Sequence, residues 1–261
     1  TLATALAASA QTPATPNTSN DAEAFIAAGN TLVSVGQRAA AVDMFRHATQ
    51  ADPRSVTAWN QLGYYLEHDG HHEEGLKAFE EALKFDPRNA FAWAGKAETL
   101  AWLERPQEAL PAAEMALRLG PNLAYAHNAK GAALNTYERY AEAIAFYDRS
   151  LALDPKDANT WSNKGYALGS LERYQEALEA YDHSLALDPK NANAWSNKGY
   201  ALGSLGRNQE ALDAYEHALA LGQNSIRWHG KATALRKLGR TREAEAAERK
   251  AKELEEQEKK Q

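Results

Sequence analysis

The chain has no cysteine, which removes disulfides, thiol catalysis and cysteine-ligated zinc together. Nor does it carry an excess of positive charge: 29 Lys and Arg against 35 Asp and Glu leave a net charge of −6. Phosphate binding needs a concentrated basic surface, so no nucleic-acid partner is expected. No apolar run approaches the roughly 20 residues that cross a bilayer, so no membrane insertion is expected. A P-loop, a glycine-rich dinucleotide loop and the H-E-x-x-H spacing are all missing, and no nucleophile–base pair stands above background. The reading is therefore of a protein that is not an enzyme and uses no cofactor or metal. What remains, 44% apolar and 25% charged residues, is a soluble globular balance.

The N-terminus is small and apolar, and its Ala8-Ser9-Ala10 triplet has the A-x-A form of a secretory cleavage site. Residues 1–10 read as the remnant of a signal peptide, with Gln11 as the first mature residue. This predicts export to a periplasmic or extracellular space; the alternative is a cytoplasmic protein with an Ala/Thr leader. Residues 11–21, rich in Pro, Thr and Asn, read as a flexible linker.

Beyond it, prolines fall at 53, 87, 121, 155 and 189, each 34 residues after the last. Four are preceded by Asp (Asp52, Asp86, Asp154, Asp188), and the octapeptide 161–168, WSNKGYAL, returns unchanged at 195–202. With each proline as position 32, units begin at 22, 56, 90, 124, 158 and 192, and a seventh begins near 225 after a one-residue deletion. Position 4 then holds Phe25, Trp59, Trp93, His127, Trp161, Trp195 and Trp228, and position 24 holds Phe45, Phe79, Ala113, Tyr147, Tyr181 and Tyr215. Positions 8 and 20 are Gly or Ala throughout.

Apolar residues at positions 4, 8, 11, 20, 24 and 27 have helical spacing in two blocks separated by a turn. Small residues at 8 and 20 let the two helices approach closely, and the aromatics at 4 and 24 fill the space between units. Proline near position 32 stops the second helix. One such pair cannot bury its own apolar face, so pairs must stack into an array. In the seventh unit Glu248 replaces the aromatic and a charged stretch, 249–257, comes after it, as expected of a cap ending near 257 with a frayed tail at 258–261.

The pattern resembles the tetratricopeptide repeat family, most clearly at Trp59-Asn60-Gln61-Leu62-Gly63 and Tyr64-Tyr65-Leu66. The resemblance implies an all-α, right-handed superhelical solenoid of antiparallel helix pairs over residues 22–257. It departs at position 7, where Lys96, Lys130, Lys164, Lys198 and Lys231 replace an aliphatic residue. Their stems are expected beside the tryptophans with the ammonium groups reaching nearby carboxylates; a basic stripe for an acidic ligand is the other reading. It departs again in the third unit, at Ala113 and Pro111, and in the fourth at His127, which predicts looser packing between units 3 and 4 and a local change of curvature there.

The resemblance also implies that the first helices line a concave groove. Its candidate partner-binding residues are Asn60, Gln61, Tyr64, Trp102, Tyr125, Asn128, Asn163, Tyr166, Asn197 and Tyr200. Asparagine offers both a donor and an acceptor to a peptide backbone, and tyrosine a rigid face with a polar tip. Asn163 and Asn197, one repeat apart, look like the ladder with which some members hold extended peptides. Position 5 has no Lys, so the clamp for chaperone C-terminal carboxylates is not expected. The run from His68 to Glu74 is placed on the turn of unit 2, as a polar turn rather than a metal site. The expected function is a non-catalytic scaffold holding a protein or peptide partner; the alternative is a self-assembling module forming homo-oligomers.

Overall fold

The structure, a computed structural model, describes residues 18–259. They form fourteen helices and, among the described residues, no strand. The helices pair as α1 (Thr18–Ser34) with α2 (Arg38–Ala51), α3 (Val56–His68) with α4 (His72–Phe85), and α5 (Ala90–Trp102) with α6 (Pro106–Leu119). Next come α7 (Ala124–Asn135) with α8 (Tyr140–Leu153), α9 (Ala158–Ser170) with α10 (Tyr174–Leu187), α11 (Ala192–Ser204) with α12 (Asn208–Leu221), and α13 (Ser225–Lys237) with α14 (Thr241–Glu258). Each pair stacks on the next, giving the seven-unit right-handed solenoid. The first helix starts at Thr18, so residues 18–21, read as the end of a linker, are its opening turn. Residue 258 likewise closes α14 rather than opening a tail. The leader and the rest of the linker, 1–17, and the last two residues lie outside the described residues.

Within a unit, one contact repeats. The aromatic at position 24 lies flat over the glycine at position 8. A Cβ built on Gly29 would sit 2.5 Å from Phe45, on Gly131 2.5 Å from Tyr147, and on Gly165 2.6 Å from Tyr181. Any side chain there would displace the ring, so ring and glycine are one device in two places of the sequence. In unit 3 both halves change together: Ala97 stands at position 8 and Ala113 at position 24, and both are buried.

Between units, a second device recurs. The indole Nε1 of Trp59, Trp93, Trp161 and Trp195 donates to the carbonyl of the preceding proline, Pro53, Pro87, Pro155 and Pro189, at 2.9–3.0 Å. His127 substitutes through Nε2, 2.9 Å from the Pro121 carbonyl. The Asp before each of those four prolines accepts the amide two residues on, as Asp52 does from Arg54 at 2.9 Å, so the turn is closed from both sides. The position-7 lysines behave as snorkels. Lys96, Lys130, Lys164, Lys198 and Lys231 pair with Glu80, Glu114, Asp148, Asp182 and Glu216 of the preceding unit at 2.6–2.8 Å. Four of these ammonium groups also lie 5.3–5.8 Å from a tryptophan ring centre.

The expected loosening between units 3 and 4 is not what the chain does. Helices α5 and α7 pack directly along each other. Ten of the twelve buried residues in this part of the core are alanine, among them Ala94, Ala97, Ala126, Ala129 and Ala133, so the backbones can approach closely. Pro111 sits inside α6 without ending it. The consequence is a tighter inward turn of the superhelix at this junction.

Two glycines of α9 should therefore respond oppositely to the same substitution. Gly165→Ala is expected to destabilise by about 1–3 kcal/mol through overpacking against Tyr181. At Gly169 a Cβ meets nothing nearer than the Tyr181 hydroxyl at 4.0 Å, so Gly169→Ala is expected to stabilise by about 0.5–1 kcal/mol through helix propensity. Urea denaturation of both variants tests this; effects of the same sign would refute the packing account.

Candidate partner-binding groove

The first helices face inward. This is seen most directly where His68, the last residue of α3, meets Asn159 of α9 at 2.7 Å across the superhelix. His68 is thus part of the groove and not of the turn on which the sequence placed it. Its Nδ1 hydrogen is aimed at the Tyr64 carbonyl at 2.9 Å, with Glu67 Oε2 2.7 Å away as a charge contact. The amide of Asn159 can turn its oxygen to an imidazolium or its nitrogen to a neutral ring, so the bridge survives either state.

Around this bridge the groove is filled by its own side chains. Tyr64 lies 4.1 Å from the His68 ring, 5.8 Å from Tyr125 and 6.0 Å from Phe91, measured between ring centres. Beneath them Glu98 is buried; Asn128 donates to its Oε1 at 2.8 Å, and Asn163 donates to Asn128 Oδ1 at 3.1 Å. Asn60 donates to Asn89 Oδ1 at 3.1 Å, which also caps α5. Of the ten candidates, then, Asn60, Tyr64, Tyr125 and Asn128 are engaged in holding units 2–4 together. Gln61 is partly buried beside them, and Asn163 joins this network to unit 5. Trp102 stands half exposed at the rim, stacked on His72 at 5.5 Å.

From unit 5 onward the groove is open. Tyr166 and Tyr200 are 48% and 59% exposed, the same position one repeat apart. Each is held edge-on by the first residue of the preceding unit's second helix. Tyr140 meets Tyr166 at 6.3 Å and 72°, and Tyr174 meets Tyr200 at 6.2 Å and 70°. The supporting hydroxyls lie near Ser170 and Ser204 respectively. Tyr140 and Tyr174 escaped sequence reasoning, although their 34-residue spacing and matched phase with Tyr166 and Tyr200 are readable. Beside each exposed tyrosine is a hollow. One of about 390 Å³ is bounded by Tyr166, Gly169, Ser170, Glu172, Tyr174, Tyr181, Asn197 and Tyr200. A smaller one of about 90 Å³ lies between Tyr200, Gly203, Ser204, Tyr215 and Lys237. Their origin is a missing side chain. In unit 4, Asn135 at position 12 donates to the Tyr147 hydroxyl at 2.8 Å; units 5 and 6 have Gly169 and Gly203 there.

The buried acid carries a pH signature. Burial, with Glu67 and Asp157 close by, pushes the Glu98 carboxyl up to about 8 despite the opposing pull of His68 and the Asn128 hydrogen bond. For His68, burial disfavours the imidazolium, but Glu67 and Glu98 outweigh it and raise its pKa to about 9. Both groups bind protons more tightly folded than unfolded. Their stabilisation is complete below about pH 4.5 for Glu98 and pH 6.5 for His68, and it is lost as pH climbs through about 8 and 9. Glu98→Gln is therefore expected to flatten the fall of melting temperature between pH 5 and 8; a curve parallel to wild type would refute a buried proton on Glu98.

Family models described as tetratricopeptide repeat match residues 26–90 and 95–158, 158–191 and 190–258. No curated protein matches the chain. Among solved structures, the Cut9–Hcn1 hetero-tetramer of the APC/C has a TM-score of 0.68 at 19% identity, covering 82% of this chain. The chain spans only 43% of that one. A tetratricopeptide repeat protein from Parabacteroides merdae gives 0.56 at 16% identity, covering 90% of this chain and 93% of its own. PilW, a type IV pilus biogenesis factor, gives 0.62 at 22% identity, with 74% and 90% covered. At these identities the likeness is one of fold. The family models, which run from residue 26 to 258 almost without a break, agree with the geometry of all seven helix pairs: the chain belongs to the tetratricopeptide repeat family.

Proposed function

We propose that this chain is a non-catalytic scaffold that holds an extended segment of a protein partner in the open half of its groove, units 5–7. The observation that carries the reading is the pair Tyr166 and Tyr200: large, half-exposed rings, fixed from behind by Tyr140 and Tyr174. An exposed aromatic costs solvation, and fixing it in place reduces the entropy lost on contact. Asn197 lines the same hollow, and its amide offers a donor and an acceptor to a peptide backbone. End-to-end self-assembly has less support, because α14 is rich in charged residues on its outer side. Export belongs to the same proposal. It rests on Ala8-Ser9-Ala10, and the chain isolated from its host is expected to begin at Gln11.

The test is capture of a partner from native extract by the full chain and by a Tyr166→Ala/Asn197→Ala/Tyr200→Ala variant. The variant is expected to lose the partner while keeping its helicity and melting temperature, since all three side chains are at least partly exposed. Undiminished capture would place the binding surface elsewhere.

A further inference from the structure

The hollows beside Tyr166 and Tyr200 are built alike but charged differently. Glu172 lines the larger one, and no Lys, Arg or His does. The smaller one has no acid on its wall but has Lys237, whose ammonium is engaged with the Gly203 carbonyl at 2.9 Å. Position 15 of the unit, Glu172 in unit 5, is Gly206 in unit 6.

Glu172 stands in an unfavourable backbone. Its φ of +59° is in the left-handed region, and at the same position of other units Gly36, Gly70, Gly206 and Gly239 stand there at less cost. Glu104 and Glu138 share the conformation in units 3 and 4, but neither lines these hollows. Nor does Glu172 pair with a cation among the described residues. Arg173, next in the chain, is turned to Glu176 through both ends of its guanidinium at 2.5–2.7 Å. Lys164 and Lys198 are held by Asp148 and Asp182 at 2.7 and 2.6 Å.

The rest of the lining suits positive charge. Tyr166, Tyr174 and Tyr200 wall the hollow, and aromatic rings attract cations through their quadrupole. Tyr181, only 2% exposed, lines it too. Its hydroxyl lies 4.0 Å from a Cβ built on Gly169 and has no hydrogen-bond partner among the described residues. Burial keeps that phenol protonated, and its oxygen can accept from an N–H. A neutral group laid over the hollow would strip water from the Glu172 carboxylate without replacing it, and an anion would be repelled.

We infer that the larger hollow takes one positively charged side chain, arginine or lysine, from the segment held in the groove. The cation lies among the Tyr166, Tyr174 and Tyr200 rings, paired with Glu172, with the Tyr181 hydroxyl and the Asn197 amide oxygen as further acceptors. The smaller hollow, with a lysine and no acid, takes none. This rests on the groove reading above and adds the charge of the ligand.

The experiment selects a random twelve-residue peptide library on the full chain and titrates the tightest binder by fluorescence anisotropy. It is expected to contain one arginine or lysine whose replacement by glutamine weakens binding at least about tenfold, while exchange of one basic residue for the other costs less. Glu172→Gln is expected to weaken the basic peptide about tenfold and the glutamine-substituted peptide hardly at all. Glu179→Gln, the same loss of charge at an exposed site on α10, should leave both unchanged. Glu172→Gly should weaken binding as Glu172→Gln does yet raise the melting temperature by about 2–4 °C, because it relieves the left-handed backbone. A binder that needs no basic residue, equal responses to Glu172→Gln and Glu179→Gln, or a library that yields no binder overturns the inference. Binders that depend on Tyr166 and Tyr200 but on no basic residue leave the groove reading standing. Binders indifferent to Tyr166→Ala/Tyr200→Ala remove both.

Discussion

An aromatic ring laid on a bare glycine governs this solenoid. The ring at position 24 can bury itself between two helices only where position 8 has no side chain, and the helices can close to that distance only where a flat ring separates them. Gly29 with Phe45, Gly63 with Phe79, Gly131 with Tyr147, Gly165 with Tyr181 and Gly199 with Tyr215 are five instances of the pair. The ring fixes the distance within a unit. The tryptophan indole on the preceding proline carbonyl and the lysine on the preceding carboxylate then fix one unit on the next.

Unit 3 reveals the effect of removing the ring. Ala113 and Ala97 replace the pair, and α5 and α7 pack directly on each other through alanines such as Ala94, Ala97, Ala126 and Ala129. Drawing α5 onto α7 turns the superhelix inward, and α3 then lies within a hydrogen bond of α9. A substitution that looks conservative in one unit thereby sets the geometry four helix pairs wide. It also closes the N-terminal groove around Glu67, His68 and Glu98, where the buried acids are tolerable because the His68 imidazole stands against Glu67 and the Asn128 amide, itself held by Asn163, donates to Glu98.

The groove is consequently two regions with different chemistry. Units 2–4 hold a packed polar and aromatic network that serves the fold. Units 5 and 6 repeat nearly identical sequence and leave Tyr166 and Tyr200 exposed to solvent. The two glycines at position 12 that make hollows there weaken the helices that carry them.

Much of this was legible in the amino-acid order. The 34-residue period, the helix pairs, the turns at proline and the lysine snorkels all depend on spacing along one chain, and spacing is what periodicity reads. The aromatic face at Tyr166 and Tyr200 was legible for the same reason. What the sequence could not disclose depends on distances between residues far apart in it. Whether Ala113 loosens or tightens a junction depends on how α5 and α7 meet. His68 reads as a turn residue until Asn159, 91 positions away, closes on it. Asn60, Tyr64, Tyr125 and Asn128 have the composition of a binding surface, and only tertiary structure shows that they are engaged in contacts within the groove. Local order determined the repeating unit; the accumulated rotation between units, to which every junction adds, determined which half of the groove stayed open.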